Sequence, residues 1–119
     1  MARVMIVEDD EDNLEMFSQI LINEGFAVDG FTDAVSALLH FESGSYDLVI
    51  LDYLLPSLNG LELFHKLREK DESLRAVFLT ASQELVYVED LNGNEVIKKP
   101  IYPSKLAEKI RNILNSGDA

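Results

Sequence analysis

The stretch that most constrains this chain is YDLVILDYLLPSLNG, Tyr46 to Gly60, in which four aliphatic residues, Leu48 to Leu51, run straight into a carboxylate, Asp52. A short, unbroken apolar run with β-branched residues and a Pro/Gly-punctuated exit reads as a strand covered on both faces, as inside a parallel sheet. Its acid then sits at the strand's carboxyl end, the edge where open α/β sheets bind ligands. The same grammar recurs. Val4 to Val7 runs into Glu8-Asp9-Asp10, Ala76 to Leu79 into Thr80, and Glu95 to Ile97 into Lys98-Lys99-Pro100. If these strands are parallel, carboxylates, a hydroxyl and an amine converge on one edge.

Between the strands the pattern switches to helical spacing. Asp10 to Asn13 offers capping side chains ahead of Leu14, Phe17, Ile20 and Leu21, and Gly25 is placed to end that helix. Phe26 to Phe31, carrying Asp29 and Gly30, reads as a weaker edge strand. Asp33 caps a helix through Ala34, Ala37, Leu38 and Phe41, with Gly44 as its stop; Leu61, Phe64 and Leu67 line another after Asn59-Gly60. Arg75 to Thr80 is a strand, and Ser104 to Leu114 a last helix with Leu106, Ile110, Ile113 and Leu114 together. Residues 82–93 conflict: Leu85, Val88 and Leu91 have helical spacing, yet Val86, Tyr87 and Val88 favour extended backbone. A helix there is expected to be short, distorted or absent. Alternating strands and helices imply βαβ units, right-handed crossovers and a parallel sheet with helices on both faces.

The 119 residues make one domain, expected over 1–116 with 117–119 as a tail. A net charge of -12 argues against direct nucleic-acid binding and against docking on anionic lipid. No cysteine is present, which removes disulfides and thiol chemistry. The chain leads directly from Met1 into a strand and has no apolar run of spanning length, so a cytoplasmic protein with no membrane association is expected.

Taken singly, Glu8 to Asp12 is a solvated turn or helix cap, Asp52 a turn cap, Thr80 a strand residue and Lys99 a surface charge. His40 and His65 lack ligand spacing and read as surface residues. The acidic run is no EF-hand, because Leu14 stands where an oxygen ligand is needed. Together, at successive strand ends, the same residues make chemistry. Glu8, Asp9 and Asp52 in one pocket would repel, and a hard divalent ion with oxygen ligands, Mg2+, relieves that. Asp52 is then placed to attack phosphorus while Lys99 and the Thr80 hydroxyl take up charge on the phosphoryl oxygens.

VMIVEDDEDN, LVILDYLLPSLNGLEL, VFLTAS and VIKKP together resemble the receiver domain of two-component response regulators over essentially the whole chain. The resemblance implies a flavodoxin-like, doubly wound α/β fold with a five-stranded parallel sheet in the order 2-1-3-4-5. It makes Glu8 and Asp9 the acid pair, Asp52 the phosphoacceptor, Thr80 and Lys99 its partners, and the Leu54 backbone carbonyl a further Mg2+ ligand. It also implies a cis peptide between Lys99 and Pro100. Two departures stand out. Val96 occupies the switch position where receivers usually carry an aromatic residue, and the stretch from Thr80 to Lys99 is shorter than usual.

The function this implies is a phosphoacceptor switch charged by a sensor histidine kinase or a histidine phosphotransfer protein, acting on an output protein or a second copy of the chain. It would catalyse its own phosphorylation and dephosphorylation while serving mainly as a signalling protein. Val96 motivates an alternative, an interaction module that binds constitutively without phosphorylation. A phosphatase of the haloacid dehalogenase type is disfavoured, since Leu54 stands where that chemistry wants a second acid.

Overall fold

The computed structural model describes residues 1–55, 58–80 and 95–116. Its strands are β1 (Arg3–Val7), β2 (Ala27–Phe31), β3 (Leu48–Asp52), β4 (Ala76–Thr80) and β5 (Glu95–Lys98). The helices among the described residues are α1 (Glu11–Asn23), α2 (Ala34–His40), α3 (Gly60–Lys70) and α4 (Pro103–Ser116). All pairings are parallel, and the order is β2-β1-β3-β4-β5. The expected doubly wound sheet is therefore present. The conflicted segment 82–93 lies outside the described residues.

Alternation along each strand builds two apolar layers. Val4, Ile6, Leu48, Ile50, Val77 and Leu79 face α1 and α4 through Phe17, Leu21, Leu106 and Ile110. Met5, Val7, Val49, Leu51, Ala76 and Phe78 face α2 and α3 through Ala34, Ala37, Leu63, Phe64 and Leu67. Because β3 is flanked by strands and covered on both sides, all five of its residues are buried, Asp52 included. The helices begin where their caps require. Asp10, Asp33 and Asn59 accept from Asn13, Ser36 and Glu62 backbone N–H groups, each satisfying a first-turn donor. Glu62 returns a bond to the Asn59 N–H, closing a capping box that fixes where α3 starts.

Boundaries differ from the sequence reading at several elements: β4 starts at Ala76, not Arg75, α4 runs Pro103–Ser116, beyond Ser104 to Leu114 at both ends, and α2 and β2 shift for visible reasons. α2 stops at His40, and Phe41, expected on its apolar face, turns extended (φ -74, ψ 134) so that its ring stacks on Tyr46 instead. Gly44 lies beyond the end of that helix. β2 begins at Ala27, one residue later than expected, because Phe26 donates its N–H back to Leu21. Gly25, with φ +99, makes the left-handed turn that allows this return. His40 and His65 are exposed, as expected.

Phe64 is fully buried and meets Phe78 edge-on, with ring centroids 5.5 Å apart, while the Arg68 guanidinium covers its other side at 5.0 Å. Truncating it leaves a cavity between α3 and β4. Phe64→Ala is expected to lower unfolding free energy by about 3–5 kcal/mol in urea titrations. Tyr102→Ala, at a ring left 79% exposed, should change it by less than about 0.5 kcal/mol.

Candidate functional site

Strand register assembles the site. Val7 pairs with Leu51, so the residues that follow, Glu8 and Asp52, stand abreast where β1 and β3 end. Val4 and Ile6 share a face with Leu48 and Ile50, and two-residue alternation carries Glu8 and Asp52 onto that same side. β1 and β3 also flank the point where the order of winding reverses, so helices do not close the crevice between them. Ladder bonds continue past the strand ends: Glu8 N–H donates to Phe31, Tyr53 N–H to Leu79 (2.8 Å) and Lys99 N–H to Thr80 (2.7 Å). These tie the exit of β1 to β2 and those of β3, β4 and β5 to one another, and the β1–β3 pairing joins the two groups.

Glu8, Asp9 and Asp52 each bring a carboxylate oxygen within 4.8 Å of the other two. Glu8 and Asp52 are buried while Asp9 is exposed, so the cluster opens to solvent on one side. Lys99 reaches in from beyond β5. Its Nζ donates to Asp52 Oδ2 at 3.0 Å and lies 3.1 Å from Glu8 Oε1. The second contact is an ion pair, and buried Glu8 Oε1 makes no further contact of hydrogen-bond geometry among the described residues. Glu8 Oε2 accepts from the Asp10 N–H at 3.2 Å. Thr80 is buried at the end of β4, level with Lys98 in the sheet. The Lys99–Pro100 peptide is cis. The Leu54 side chain is exposed and Val96, half-buried, packs toward the α2–α3 layer.

The electrostatics follow from burial against a single cation. Burial pushes Glu8 up to about 7, reinforced by the Asp52 charge and only partly offset by the Asp10 N–H and Lys99. Burial also raises Asp52, against the pull of the Lys99 hydrogen bond and charge. For Lys99, burial works to lower its pKa, but the bond to Asp52 and the two carboxylate charges outweigh it, and the net displacement is upward. The ammonium therefore stays charged. Among the described residues, three carboxylates, when ionised, against one ammonium leave two negative charges, and the donors are all hard oxygens. A divalent cation of the Mg2+ kind fits this set: it supplies the missing charge and gives the orphaned Glu8 Oε1 a partner.

The sequence placed Glu8, Asp9, Asp52, Thr80 and Lys99 at strand ends, and the structure brings both acids, the buried aspartate and the lysine into one cluster. Gly60 entered the sequence reading only as punctuation after the strand, yet it is buried against the Asp52 backbone. The Asn59-x-x-Glu62 capping pattern was the available signal, since it marks the helix start that brings Gly60 there.

Residues 4–111 match the family model of the response regulator receiver domain. The chain is 37% identical over 118 residues to the response regulator ArlR of Staphylococcus aureus, covering 96% of this chain and 53% of ArlR. It is 35% identical over 114 residues to the response regulator RppA of Synechocystis, covering 92% and 49%. The chain thus spans about half the length of the curated relatives it matches. Among solved structures it superimposes on the response regulator TrrA of Thermotoga maritima, solved in complex with Mg2+ and beryllofluoride, with a TM-score of 0.83 at 31% identity, over 95% of this chain and 99% of that one. A receiver domain protein from Clostridium thermocellum gives a TM-score of 0.87 at 22% identity, over 98% and 97%. No described helix is long and apolar enough to cross a membrane.

A carboxyl group whose folded pKa lies above its unfolded value stabilises the fold while protonated and loses that contribution as pH rises through the folded value. For Glu8 the window runs from its ordinary 4.5 to about 7, and Asp52 acts in the same direction. In chelator, the protein should therefore become less stable between pH 5 and pH 8. Glu8→Gln should raise thermal stability over wild type at pH 8, by on the order of 1–3 kcal/mol, and give little or no gain at pH 5. Equal gains at both pH values would remove Glu8 as the cause.

Proposed function

The chain belongs to the response regulator receiver domain family, and from that membership we propose that it is a phosphoacceptor switch, charged on Asp52 by a histidine kinase or a histidine phosphotransfer protein. The observation that carries this reading is the Lys99 ammonium, 3.0 Å from Asp52 Oδ2 and 3.1 Å from Glu8 Oε1, inside a carboxylate cluster one cation short of neutrality. TrrA, solved with Mg2+ and the phosphoryl mimic beryllofluoride, supports it by likeness.

In the proposed reaction a carboxylate oxygen of Asp52 attacks phosphorus in line. The bond from phosphorus to the donor imidazole nitrogen breaks, its electron pair stays on nitrogen, and the phosphoryl group becomes an acyl phosphate on Asp52. Glu8, Asp9 and Asp52, with the Leu54 carbonyl, would hold Mg2+, which supplies charge neutralisation for the phosphoryl oxygens when bound. Lys99 turns from bridging two carboxylates to pairing with one of those oxygens. The Thr80 hydroxyl donates to another. Burial of Asp52 strips water from the nucleophile and strengthens each of these interactions. Attack by water on phosphorus later breaks the acyl–oxygen to phosphorus bond, releases inorganic phosphate and restores the carboxylate.

Val96 favours a second reading, a constitutive interaction module. The residue at the switch position is small, half-buried and not aromatic, and it packs toward the α2–α3 layer. On either reading the net charge of -12 disfavours nucleic acid, and the partner is a protein, a second copy of the chain included. A cytoplasmic location accords with the absence of cysteine.

Acetyl phosphate with Mg2+ should add one phosphoryl group by intact mass. Asp52→Asn should abolish the adduct, and Lys99→Ala should slow its formation by about 100-fold. An adduct that persists in Asp52→Asn would take that residue out of the role. Partner affinity unchanged by beryllofluoride would select the constitutive module.

A further inference from the structure

Gly60 is the first residue of α3, buried at the exit of β3. A Cβ at this position would lie 2.5 Å from the Asp52 carbonyl oxygen, 3.0 Å from Tyr53 Cα and 3.1 Å from the Asp52 carbonyl carbon. All three neighbours are backbone, so no side chain can swing aside to make room. The conformation at Gly60 lies outside the left-handed region, so alanine would be tolerated by the backbone torsions. What excludes it is contact with the residue that carries the nucleophile.

The surrounding bonds show why α3 must sit this close. Gly60 N–H donates to the Tyr53 carbonyl at 2.7 Å, and Tyr53 N–H donates to Leu79 at 2.8 Å. Tyr53 is thereby clamped between the start of α3 and the end of β4. Asp52, on one side of the clamp, is held by the parallel ladder to β4, where it pairs with Leu79, and directly follows Leu51, which pairs with Val7 of β1; Leu54 lies on the other side. The start of α3 is in turn fixed by the Asn59–Glu62 capping box and by Leu63 N–H donating to the Asn59 carbonyl at 3.0 Å.

We propose that Gly60 is a positioning residue for Asp52: the missing Cβ lets the first turn of α3 rest on the Asp52 carbonyl, and this seat fixes the Asp52 carboxylate against Glu8, Asp9 and Lys99. The inference rests on the phosphoacceptor reading and adds to it a control of site geometry from outside the acidic cluster. Adding one methyl group has to separate α3 from the end of β3 or twist the Asp52–Tyr53 peptide. Either stretches the Gly60–Tyr53 bond and shifts the carboxylate, and displacements near 1 Å are enough to cost about 100-fold in a reaction that depends on alignment.

Gly60→Ala tests this against Gly25→Ala. Gly25 has nothing within 4 Å of its own Cβ position and a φ of +99, so alanine there strains the backbone without touching the site. Mg2+ alone is titrated into each folded variant and followed by amide NMR, and hydrogen exchange at Tyr53 and at position 60 is measured without metal. Gly60→Ala is expected to weaken Mg2+ binding by about tenfold, the usual effect of disturbing a group that orients a metal ligand, and to speed exchange at both amides. Gly25→Ala should leave both near wild type. Should Gly60→Ala fail to fold, Asn59→Ala loosens the same helix start without added bulk and is expected to weaken Mg2+ binding by a few-fold relative to Gly25→Ala. Mg2+ affinity matching Gly25→Ala in the folded Gly60→Ala protein, or in Asn59→Ala if that is the variant used, overturns the positioning role. Wild-type protein that binds no Mg2+ and takes no phosphoryl group instead overturns the phosphoacceptor reading beneath it.

Discussion

The parallel pairing of β1 with β3 is the constraint on which the rest of the molecule depends. It sets Val7 beside Leu51 and therefore Glu8 beside Asp52, at the one position in the sheet where the winding order reverses and the carboxyl edge stays open. A slip of one residue would turn every side chain of β1 to the opposite face. Ile6 and Val4 would leave the α1–α4 layer and Glu8 would leave Asp52. The same alternation that fills the core thus aims the acids, and an error in one could not be made without an error in the other.

Much of the fold was legible because both periodicities were clean. Leu48 to Leu51 could be read as a doubly covered strand, and the structure buries all five residues of β3. Cap chemistry in Asp10 to Asn13 and at Asp33 announced α1 and α2, and Asp10 and Asp33 are their N-caps. Phe41 was misplaced because spacing alone cannot tell a helical i+7 position from a residue just past the helix end that is buried by stacking on Tyr46. The site's membership was likewise readable, since each polar residue follows an apolar run. What a linear pattern could not carry was distance across the sheet: that Lys99 meets two carboxylates at once, that Glu8 Oε1 is left without a hydrogen bond, and that Gly60 touches Asp52.

Burial and charge pull against each other in the cluster, and the balance decides its chemistry. A solvated aspartate would be a weakly held, well-hydrated carboxylate; a fully enclosed one would simply stay protonated. Asp52 lies between, enclosed by β1 and β4 but bonded to an ammonium that favours its ionised form. Glu8, beside the same ammonium, is raised by the same cost of desolvation. A bound divalent cation would remove that cost, so metal binding and the ionisation of Glu8 are linked through one free energy.

The contacts of Arg3, from the start of β1, show that this shortage of positive charge is local. There Asp29 accepts from the Tyr46 hydroxyl at 2.7 Å and from Arg3 Nη2 at 2.7 Å, while the Arg3 guanidinium also lies over the Tyr46 ring at 5.3 Å. The Tyr46 bond, with Arg3 behind it, holds Asp29 below the ordinary carboxylate range, and burial with the Asp29 contact pushes Tyr46 up to about 12. Asp47 accepts from the Arg3 N–H at 2.8 Å. Each of these acids has a partner, and at Asp29 the Tyr46 and Arg3 contacts outweigh the upward push of burial. The chain therefore has the means to neutralise acids near its strands and does so at the amino ends, where β1, β2 and the approach to β3 are tied together. At the carboxyl ends it supplies one lysine for three carboxylates, beside the open crevice. Stability alone would favour the arrangement at the amino end in both places. The excess negative charge at the other is what a site that captures a cation requires, and the fully buried strand β3 between the two ends anchors that charge in the core.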